Sequence, residues 1–348
     1  MLVSGALGNN ILRFDGATGS FTDQFTLPNN GGTNFPEGTA VGPDGNIYVR
    51  NAGSVLQLDG TTGNFLKVFV AGNGQSPDPL SFQLRWDPTT HAFVTTTVAG
   101  GLDGPTGLTF GPDGNLYVSG YGAVMRYNGQ TGASMGTYTT GGPGFTNATG
   151  LAFGPDGNLY VSTYPQNMIL QYNGPNNPGT TGAFLSTFVP AGGGGLNRPI
   201  GLTFGPDGNL YVCSYLTNSV LRYNGSTGAP IGTFTSGASS ADLVGPAGLA
   251  FGLDDNLYVS GYLTNSVVRF NGATGAFIND VVAPSANGLS GPFGLSFYLE
   301  APTNLAATVH SQTEIDLSWT NNSPDANGIE IDRKVGANGT YAVRALLM

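Results

Sequence analysis

The sequence predicts an all-β chain whose main domain is a six-bladed β-propeller of four-stranded blades. Three observations predict it. The 348 residues include 57 glycines and 22 prolines but also 20 Phe and 15 Tyr, a composition rich in both turns and core side chains. A turn-and-strand motif recurs along the chain at propeller-like intervals. The last repeat lacks the strands that the first residues supply, which predicts a closed ring.

The recurring motif is Gly-Pro-Asp-Gly-Asn-(Leu/Ile)-Tyr-Val. It occurs at 42–49, 111–118, 154–161 and 205–212, with the variant Gly-Leu-Asp-Asp-Asn-Leu-Tyr-Val at 252–259. Apart from a longer first interval, the copies are spaced by about 40–50 residues, the length of one propeller blade. Because proline presets the turn backbone and glycine accepts a left-handed conformation, Pro-Asp-Gly predicts a tight hairpin.

One complete unit, Ile200 to Thr235, illustrates the four strands of a blade. We expect strands at 201–204, 210–213, 219–223 and 231–235. The first turn is Pro206-Asp207-Gly208, and the last is the glycine-closed Asn224-Gly-Ser-Thr-Gly228. β-Branched and aromatic residues with weak alternation are typical of sheets that are packed on both faces.

The two ends of the repeat region complete one another. Residues 2–26 match strands two to four of a unit, and residues 291–297 match a first strand. Joining them gives one composite blade beside five whole units, so six blades within residues 1–299, and it removes two open sheet edges. This closure requires Leu2–Ser4 to pair with Leu295–Phe297.

The segment at about 79–98 departs from the repeat. Leu84-Arg-Trp-Asp-Pro-Thr-Thr-His-Ala-Phe-Val94 aligns with third and fourth strands, but no Pro-Asp-Gly turn precedes it. We interpret it as an extra hairpin on a six-bladed ring. A seventh, half-built blade is the alternative.

The charge balance excludes some partners. Eleven basic and 21 acidic residues give a net charge of −10. Nucleic acids and anionic membrane surfaces bind Lys/Arg-rich surfaces, so neither is an expected partner. No apolar run approaches the roughly 20 residues that cross a bilayer, so no membrane insertion is expected. Cys213 is the only cysteine, which excludes an intrachain disulfide, and we interpret it as a small strand residue.

The repeats are similar to those of NHL-like propellers. The matching pattern is Pro-x-Gly-(Leu/Ala)-x-Phe-Gly-Pro-Asp-Gly-Asn-Leu-Tyr-Val, followed by Asn-x-(Val/Ile)-(Leu/Val)-Arg-(Tyr/Phe). The resemblance covers residues 1–299 and implies an architecture related to that of virginiamycin B lyase and the SMP-30-like gluconolactonases. Because the shared residues form turns and core, the resemblance implies fold more strongly than activity.

The enzymes of this architecture imply two kinds of site. The lyases use a catalytic histidine with a carboxylate and magnesium, whereas this chain has only His91 and His310, outside the regular repeats. The lactonases hold a divalent metal through a glutamate, asparagines and an aspartate, and Glu37 matches the glutamate position. The same position in other blades holds neutral residues: Thr106, Thr149, Ile200, Ala247 and Phe293. We therefore interpret Glu37 as a solvated residue at the channel mouth and assign no catalytic residue, metal ligand or cofactor. A divalent cation in the central channel is the alternative.

The loops between second and third strands supply the other candidate binding residues. Four successive blades carry a tyrosine at one position of this loop, and three carry an asparagine after it: Tyr121, Tyr164, Tyr215, Tyr262, Asn167, Asn218 and Asn265. An aromatic arc can stack on sugar rings or contact a protein. The alternative is that each tyrosine packs against the next blade and each asparagine caps its own turn.

Long polar side chains also recur on the third strands. They are Arg13, Arg126, Arg222 and Arg269, with Gln57 and Gln171 in two blades. Because glutamine carries no charge, we predict that these side chains hydrogen-bond backbone carbonyls between blades rather than bind an anion.

The repeat ends near residue 300. Residues 301–348 resemble the first half of a fibronectin type III domain through Pro302, Leu305, Trp319 and the segment 329–333. Such domains have about 100 residues, so 300–348 is an incomplete segment, a partial β-sandwich. We expect it to be poorly ordered or docked on the propeller or a neighbouring chain.

These observations favour a non-catalytic binding or scaffold propeller for protein or carbohydrate ligands. The bias toward Gly, Asn, Thr, Ser and Tyr with two lysines favours an extracellular or cell-surface location. No signal peptide is expected in this chain, since Leu2–Gly5 already matches a repeat. The alternatives are a metal-dependent lactonase, hydrolase or lyase with its site at the channel mouth, and a structural subunit that assembles through its tail. The oligomeric state is not predicted.

Overall fold

The computed structural model describes residues 1–26, 33–72, 105–120, 122–143, 147–236 and 243–298, and the segments 84–87, 92–95, 303–311, 315–320, 329–333 and 342–347. The chain divides into two compact units, Met1–Tyr298 and Leu299–Met348. The first unit contains the repeats.

Six four-stranded antiparallel sheets form the blades of a propeller. Their order in the chain follows the repeats, and each sheet runs from its first to its fourth strand. Blade I contains β1 (Leu2–Gly5), β2 (Asn10–Phe14), β3 (Phe21–Thr26) and β26 (Pro292–Ser296), and blade II contains β4 (Pro36–Val41), β5 (Ile47–Asn51), β6 (Ser54–Leu58) and β7 (Phe65–Val70). Blade III contains β10 (Leu108–Phe110), β11 (Leu116–Ser119), β12 (Val124–Tyr127) and β13 (Ser134–Thr137), and blade IV contains β14 (Ala148–Phe153), β15 (Leu159–Thr163), β16 (Met168–Tyr172) and β17 (Phe184–Val189). Blade V contains β18 (Pro199–Phe204), β19 (Leu210–Ser214), β20 (Ser219–Tyr223) and β21 (Pro230–Thr233), and blade VI contains β22 (Pro246–Phe251), β23 (Leu257–Gly261), β24 (Ser266–Phe270) and β25 (Phe277–Val282).

The predicted ring closure is confirmed. Strand β26 pairs antiparallel with β1, with Leu2 opposite Ser296 and Val3 opposite Leu295. The amino terminus is fixed as well, because the Met1 ammonium donates a hydrogen bond of 2.8 Å to the Phe14 carbonyl. Blade I is therefore built from both ends of the repeat region, and it has no free inner edge.

The Pro-Asp-Gly hairpins form as the motif predicts. In blade II the Asp44 carboxylate accepts bonds from the Asn46 backbone N–H at 3.1 Å and from the Tyr48 hydroxyl at 3.0 Å. Gly45 has φ +75°, a left-handed conformation that glycine adopts without strain. The aspartate thus closes the turn and fixes the tyrosine of the next strand.

Aromatic contacts of one kind join five of the six blades to the next. The tyrosine of a second strand meets a phenylalanine of the neighbouring blade's first strand edge to face, as Tyr48 meets Phe110 with ring centroids 4.8 Å apart. The equivalent pairs are Tyr117–Phe153, Tyr160–Phe204, Tyr211–Phe251 and Tyr258–Phe297. Such pairs each contribute about 1 kcal/mol beyond the burial of area. The last pair reaches the segment that closes the ring.

The first strands of the six blades surround a central channel. A glycine in each first strand allows close approach of the next blade, since a Cβ on Gly248 would lie 2.1 Å from the Phe293 carbonyl oxygen. One step further along the strands, leucines line the channel in five blades, with a threonine in the sixth: Leu108, Leu151, Leu202, Leu249, Leu295 and Thr39. The channel is thus apolar below its mouth.

Other elements complete the described chain. Strands β8 (Leu84–Asp87) and β9 (Ala92–Thr95) pair as an antiparallel hairpin, within the segment predicted as an extra hairpin. The second unit has two two-stranded sheets, formed by β27 (Thr303–Val309) with β28 (Ile315–Thr320) and by β29 (Ile329–Arg333) with β30 (Ala342–Leu347). Its resemblance to a fibronectin type III segment stays a prediction. Three 3₁₀ turns, at Gly193–Gly195, Tyr215–Thr217 and Ala286–Gly288, also occur, and among the described residues no helix has the length and apolarity of a membrane span.

Candidate ligand-binding site

The topology brings the predicted site residues to one face of the ring. In every blade the first strand starts, and the second strand ends, at the face opposite the Pro-Asp-Gly turns. The loops between second and third strands lie on this same face, which we call the mouth face. A cavity of about 300 Å³ opens there over the channel. We call it the axial cavity; the described residues that line it are Glu37, Thr106, Asn147, Thr149, Tyr164, Arg198, Ile200, Tyr215, Tyr262 and Phe293.

Three of the predicted tyrosines meet in the axial cavity. Tyr164, Tyr215 and Tyr262 come from equivalent loops of blades IV, V and VI, and each is half-buried. Burial raises the pKa of Tyr215 and of Tyr262, so both hydroxyls stay protonated at neutral pH. They can therefore donate and accept hydrogen bonds at a partly apolar wall. Tyr121 lies outside the described residues.

The predicted asparagines brace the loops that carry these tyrosines. Asn167, Asn218 and Asn265 all have a left-handed backbone, with φ between +52° and +58°. Their side-chain oxygens accept backbone N–H bonds at the start of the next blade, from Arg198 at 2.7 Å, Gly245 at 3.0 Å and Gly291 at 2.7 Å. The bonds cross to the neighbouring blade instead of capping the residue's own turn. A direct role in ligand binding stays a prediction for these three residues.

Glu37 lies at the mouth of the channel, as predicted, but in an ion pair. The Arg50 Nη1 atom lies 2.7 Å from the Glu37 Oε2 atom. The Arg50 side chain is 10 % exposed and the Glu37 side chain 13 %. The Arg50 guanidinium also donates to the Pro105 and Phe35 carbonyls. Burial raises the pKa of Glu37, while Arg50 opposes that shift. Glu37 is thus mostly buried and engaged rather than freely solvated.

Arg50 is a site residue that the sequence interpretation missed. The other blades carry a small residue at this position: Ser4, Ser119, Ser162, Cys213 and Ser260. Ser119, for example, accepts a bond from the Gly107 N–H at 2.7 Å and donates to the Thr149 carbonyl at 2.9 Å, which joins two blades. The sequence did carry a signal for the pair: an arginine stands in a serine position, one strand away from the single glutamate of the repeats.

Arg198 is a second residue that the sequence interpretation missed. It precedes the first strand of blade V, is exposed, and places its guanidinium 5.0 Å from the centre of the Tyr164 ring. Nothing in the repeat pattern marks it, because the equivalent positions before other first strands hold Phe35, Gly245 and Gly291. It brings a positive charge to the wall of the axial cavity.

An unsatisfied acceptor adds to the polar lining. The side-chain oxygen of Asn147 is buried and has no hydrogen-bond partner within the part of the chain that the structure describes. Leaving such a group unpaired costs about 1–3 kcal/mol.

The described residues offer no metal cage. No group of three or more His, Cys, Asp or Glu side chains is placed to hold an ion among them. Glu37 is the one carboxylate in the described lining, and its charge is already matched by Arg50. His310 pairs with Asp316 at 3.1 Å in the second unit, and His91 lies outside the described residues.

The recurrent third-strand side chains have different partners from those predicted. Gln57 donates to the Asp44 carboxylate at 2.7 Å and to the Tyr48 hydroxyl at 2.8 Å, and Arg126 pairs with Asp113. Arg269 does donate across to a carbonyl of another blade, that of Ala17 at 2.9 Å. The prediction of inter-blade carbonyl bonds was therefore wrong for most of the set. A carboxylate that is hydrogen-bonded at the turn accepts a bond from either an amide or a guanidinium, which explains why glutamine replaces arginine here.

Comparison with known proteins identifies the fold. No protein-family model matches the chain, and no curated protein matches it. Among solved structures, a chain of the nidogen/laminin complex is 16 % identical with a TM-score of 0.56, covering 84 % of this chain and 95 % of that one. The gluconolactonase XC5397 from Xanthomonas campestris is 17 % identical with a TM-score of 0.52, covering 75 % and 78 %. Virginiamycin B lyase from Staphylococcus aureus is 18 % identical with a TM-score of 0.48, covering 89 % and 83 %.

The chain is thus a six-bladed β-propeller with an aromatic cavity at one end of its axis. Its solved neighbours include a protein-complex component and a lactonase. At these identities the likeness establishes the fold, and one fold carries many functions.

Proposed function

We propose that this chain is a non-catalytic binding propeller, acting outside the cell or at its surface, that holds a protein or carbohydrate ligand at the axial cavity. The observation that carries the proposal is the convergence of Tyr164, Tyr215 and Tyr262 on one cavity of about 300 Å³. Concave, partly aromatic sites of this size with a few fixed polar groups are typical of binding sites.

The polar groups of the axial cavity support binding more than chemistry. The Glu37 carboxylate is held in an ion pair with Arg50 at 2.7 Å, so it could attack a substrate or accept its proton only by breaking that pair. The remaining polar lining consists of hydroxyls, an amide and the Arg198 guanidinium, which are hydrogen-bonding groups.

A binding screen with a cavity variant tests the proposal. We would probe the whole chain with a glycan array and with a phage-displayed random peptide library, and then test each hit on Tyr215→Ala/Tyr262→Ala. Hits should bind the variant at least tenfold more weakly, because each tyrosine contributes contact area and a hydroxyl. A matched control, Tyr127→Phe, keeps the cavity unchanged and should bind as the unmodified chain does, since Tyr127 is buried on a third strand.

Two results would overturn the proposal. One is a set of hits that bind the double variant as tightly as the unmodified chain. The other is hydrolysis of a lactone or ester panel, with Mg²⁺, Ca²⁺ or Zn²⁺ added, that is lost in Glu37→Gln. That second result would establish the enzyme alternative.

A further inference from the structure

Arg198 differs from the other propeller arginines whose side chains the structure describes, because it has no carboxylate partner among the described residues. Those five each pair with an acidic side chain: Arg13 with Asp23, Arg50 with Glu37, Arg126 with Asp113, Arg222 with Asp207 and Arg269 with Asp254. Arg198 instead lies over Tyr164 at the wall of the axial cavity. In a chain of net charge −10, this leaves one exposed cation directed at the candidate site.

The local charge of the axial cavity favours an anionic group. Glu37 is neutralised by Arg50, so it repels an incoming carboxylate only weakly. The guanidinium of Arg198 offers several parallel N–H donors, a geometry that matches a carboxylate with two bonds. A carboxylate placed beside Tyr164 would therefore meet a net attraction.

A second, independent feature lies beside the axial cavity, on blades V, VI and I. Leu7, Leu216 and Leu263 occupy one equivalent loop position in blades I, V and VI, and they are 56 %, 49 % and 57 % exposed. We call these three leucines the apolar rim. Gly245 lies against both Tyr215 and Leu263, and Gly291 against both Tyr262 and Leu7, so rim and cavity tyrosines form one continuous surface.

We infer that the ligand is a protein that inserts an acidic side chain into the axial cavity against Arg198, with apolar residues beside it packing on the apolar rim. This inference rests on the proposed function. Protein is favoured over carbohydrate because exposed leucines beside a polar cavity match apolar residues that flank one anchoring side chain. The hydroxyls of a sugar would lose water against these leucines without gaining a partner.

Selection of peptides by the whole chain tests the inference. A phage-displayed random nonapeptide library is panned on the unmodified chain, on Arg198→Gln and on Arg222→Gln, which removes one equivalent charge from a third strand. The unmodified chain and Arg222→Gln should enrich peptides with an Asp or Glu next to Leu, Ile, Val, Met or Phe. The enriched peptides, made synthetically, should bind Arg198→Gln at least tenfold more weakly.

The apolar rim is tested with the same peptides. Leu216→Ser/Leu263→Ser should weaken binding about tenfold, whereas Leu185→Ser, at a 48 % exposed position of a fourth strand, should not change it. Thermal unfolding of every variant shows whether it is folded.

The possible failures separate this inference from the proposed function. Enriched peptides without an acidic residue, or an acidic consensus that persists on Arg198→Gln, overturn the inference; the function stands if Tyr215→Ala/Tyr262→Ala still abolishes binding. If no peptide is enriched and D-glucuronate binds in a way that depends on Arg198, the ligand is an acidic saccharide and the inference of a protein ligand is overturned. Peptides whose binding neither the tyrosine nor the arginine variants change overturn both.

Discussion

At the scale of single residues, the candidate site is built where one blade departs from the repeat. Blade II carries Glu37 and Arg50 where blade III carries Thr106 and Ser119. In blade III the serine joins two first strands through short hydrogen bonds. In blade II the longer Arg50 side chain donates to the Pro105 and Phe35 carbonyls, and Glu37 forms part of the cavity wall.

Replacing Glu37 and Arg50 by the threonine and serine of blade III tests whether the two residues act as a pair. Glu37→Thr or Arg50→Ser alone should lower the free energy of unfolding by about 2–3 kcal/mol, because each leaves a mostly buried charge without its partner. The double variant Glu37→Thr/Arg50→Ser restores the blade III pair and should cost less than about 1 kcal/mol. Urea unfolding at pH 7 measures the three values, and costs that simply add would contradict a coupled pair.

The sequence could predict the position of Glu37 but not its partner. The glutamate stands out because its equivalents are neutral, whereas the sequence interpretation did not single out Arg50 at all. Arg198 was harder still to predict from the sequence, because it lies in a connection between blades whose sequence does not repeat. The convergence of three tyrosines depends on where side chains point, which periodicity does not specify.

At the scale of elements, the turns opposite the mouth face determine the blade geometry. In five of the six hairpins between third and fourth strands, one Asp or Asn side chain accepts hydrogen bonds from two backbone N–H groups and from a threonine hydroxyl; blade IV is the exception. Asp15 does so for Thr18, with N–H and hydroxyl distances of 2.7 Å, and Asn128 does so for Thr131 at 2.9 and 3.0 Å. The chain thus uses aspartate and asparagine for one role in different blades.

The use of aspartate in some hairpins and asparagine in others predicts that the stability of the fold depends on pH in acid. Hydrogen bonds from Thr18 and Thr62 lower the pKa of Asp15 and of Asp59. A depressed folded pKa stabilises the fold above the unfolded value of about 3.9, and this stabilisation is lost as pH falls through the folded pKa. The Tm of the chain should therefore fall between about pH 5 and pH 3, and the fall should be smaller in Asp15→Asn/Asp59→Asn, in which no proton binds. Scanning calorimetry measures both; at pH 6 the two proteins should have similar Tm values, and equal falls in acid would contradict this role.

The elements were also the most predictable part of the molecule. In blade V the expected strands at 201–204, 210–213 and 219–223 differ from β18, β19 and β20 by two residues or fewer. Turn residues such as Pro206 and Gly208 set these boundaries through backbone geometry alone. The partners of Arg126 and Gln57 were predicted wrongly. The strand pattern specifies on which side of the sheet each side chain lies, but it does not specify which acceptor the side chain meets on that side.

At the scale of the whole molecule, ring closure creates the site. The pairing of β26 with β1 brings six first strands around one axis, and Phe293 of the closing strand lines the axial cavity and meets Tyr262 at 6.1 Å between ring centroids. The two faces of the ring differ in chemistry. The turn face carries the recurring aspartates, from Asp44 to Asp254, while the described mouth face carries tyrosines, leucines and Arg198.

The most direct test of the central claim is a crystal structure of the whole chain with a selected peptide or saccharide bound. The account predicts ligand density in the axial cavity, in contact with at least two of Tyr164, Tyr215 and Tyr262 and within hydrogen-bonding distance of Arg198. Density on the turn face or along the outer strands, with the axial cavity filled by water alone, would contradict it.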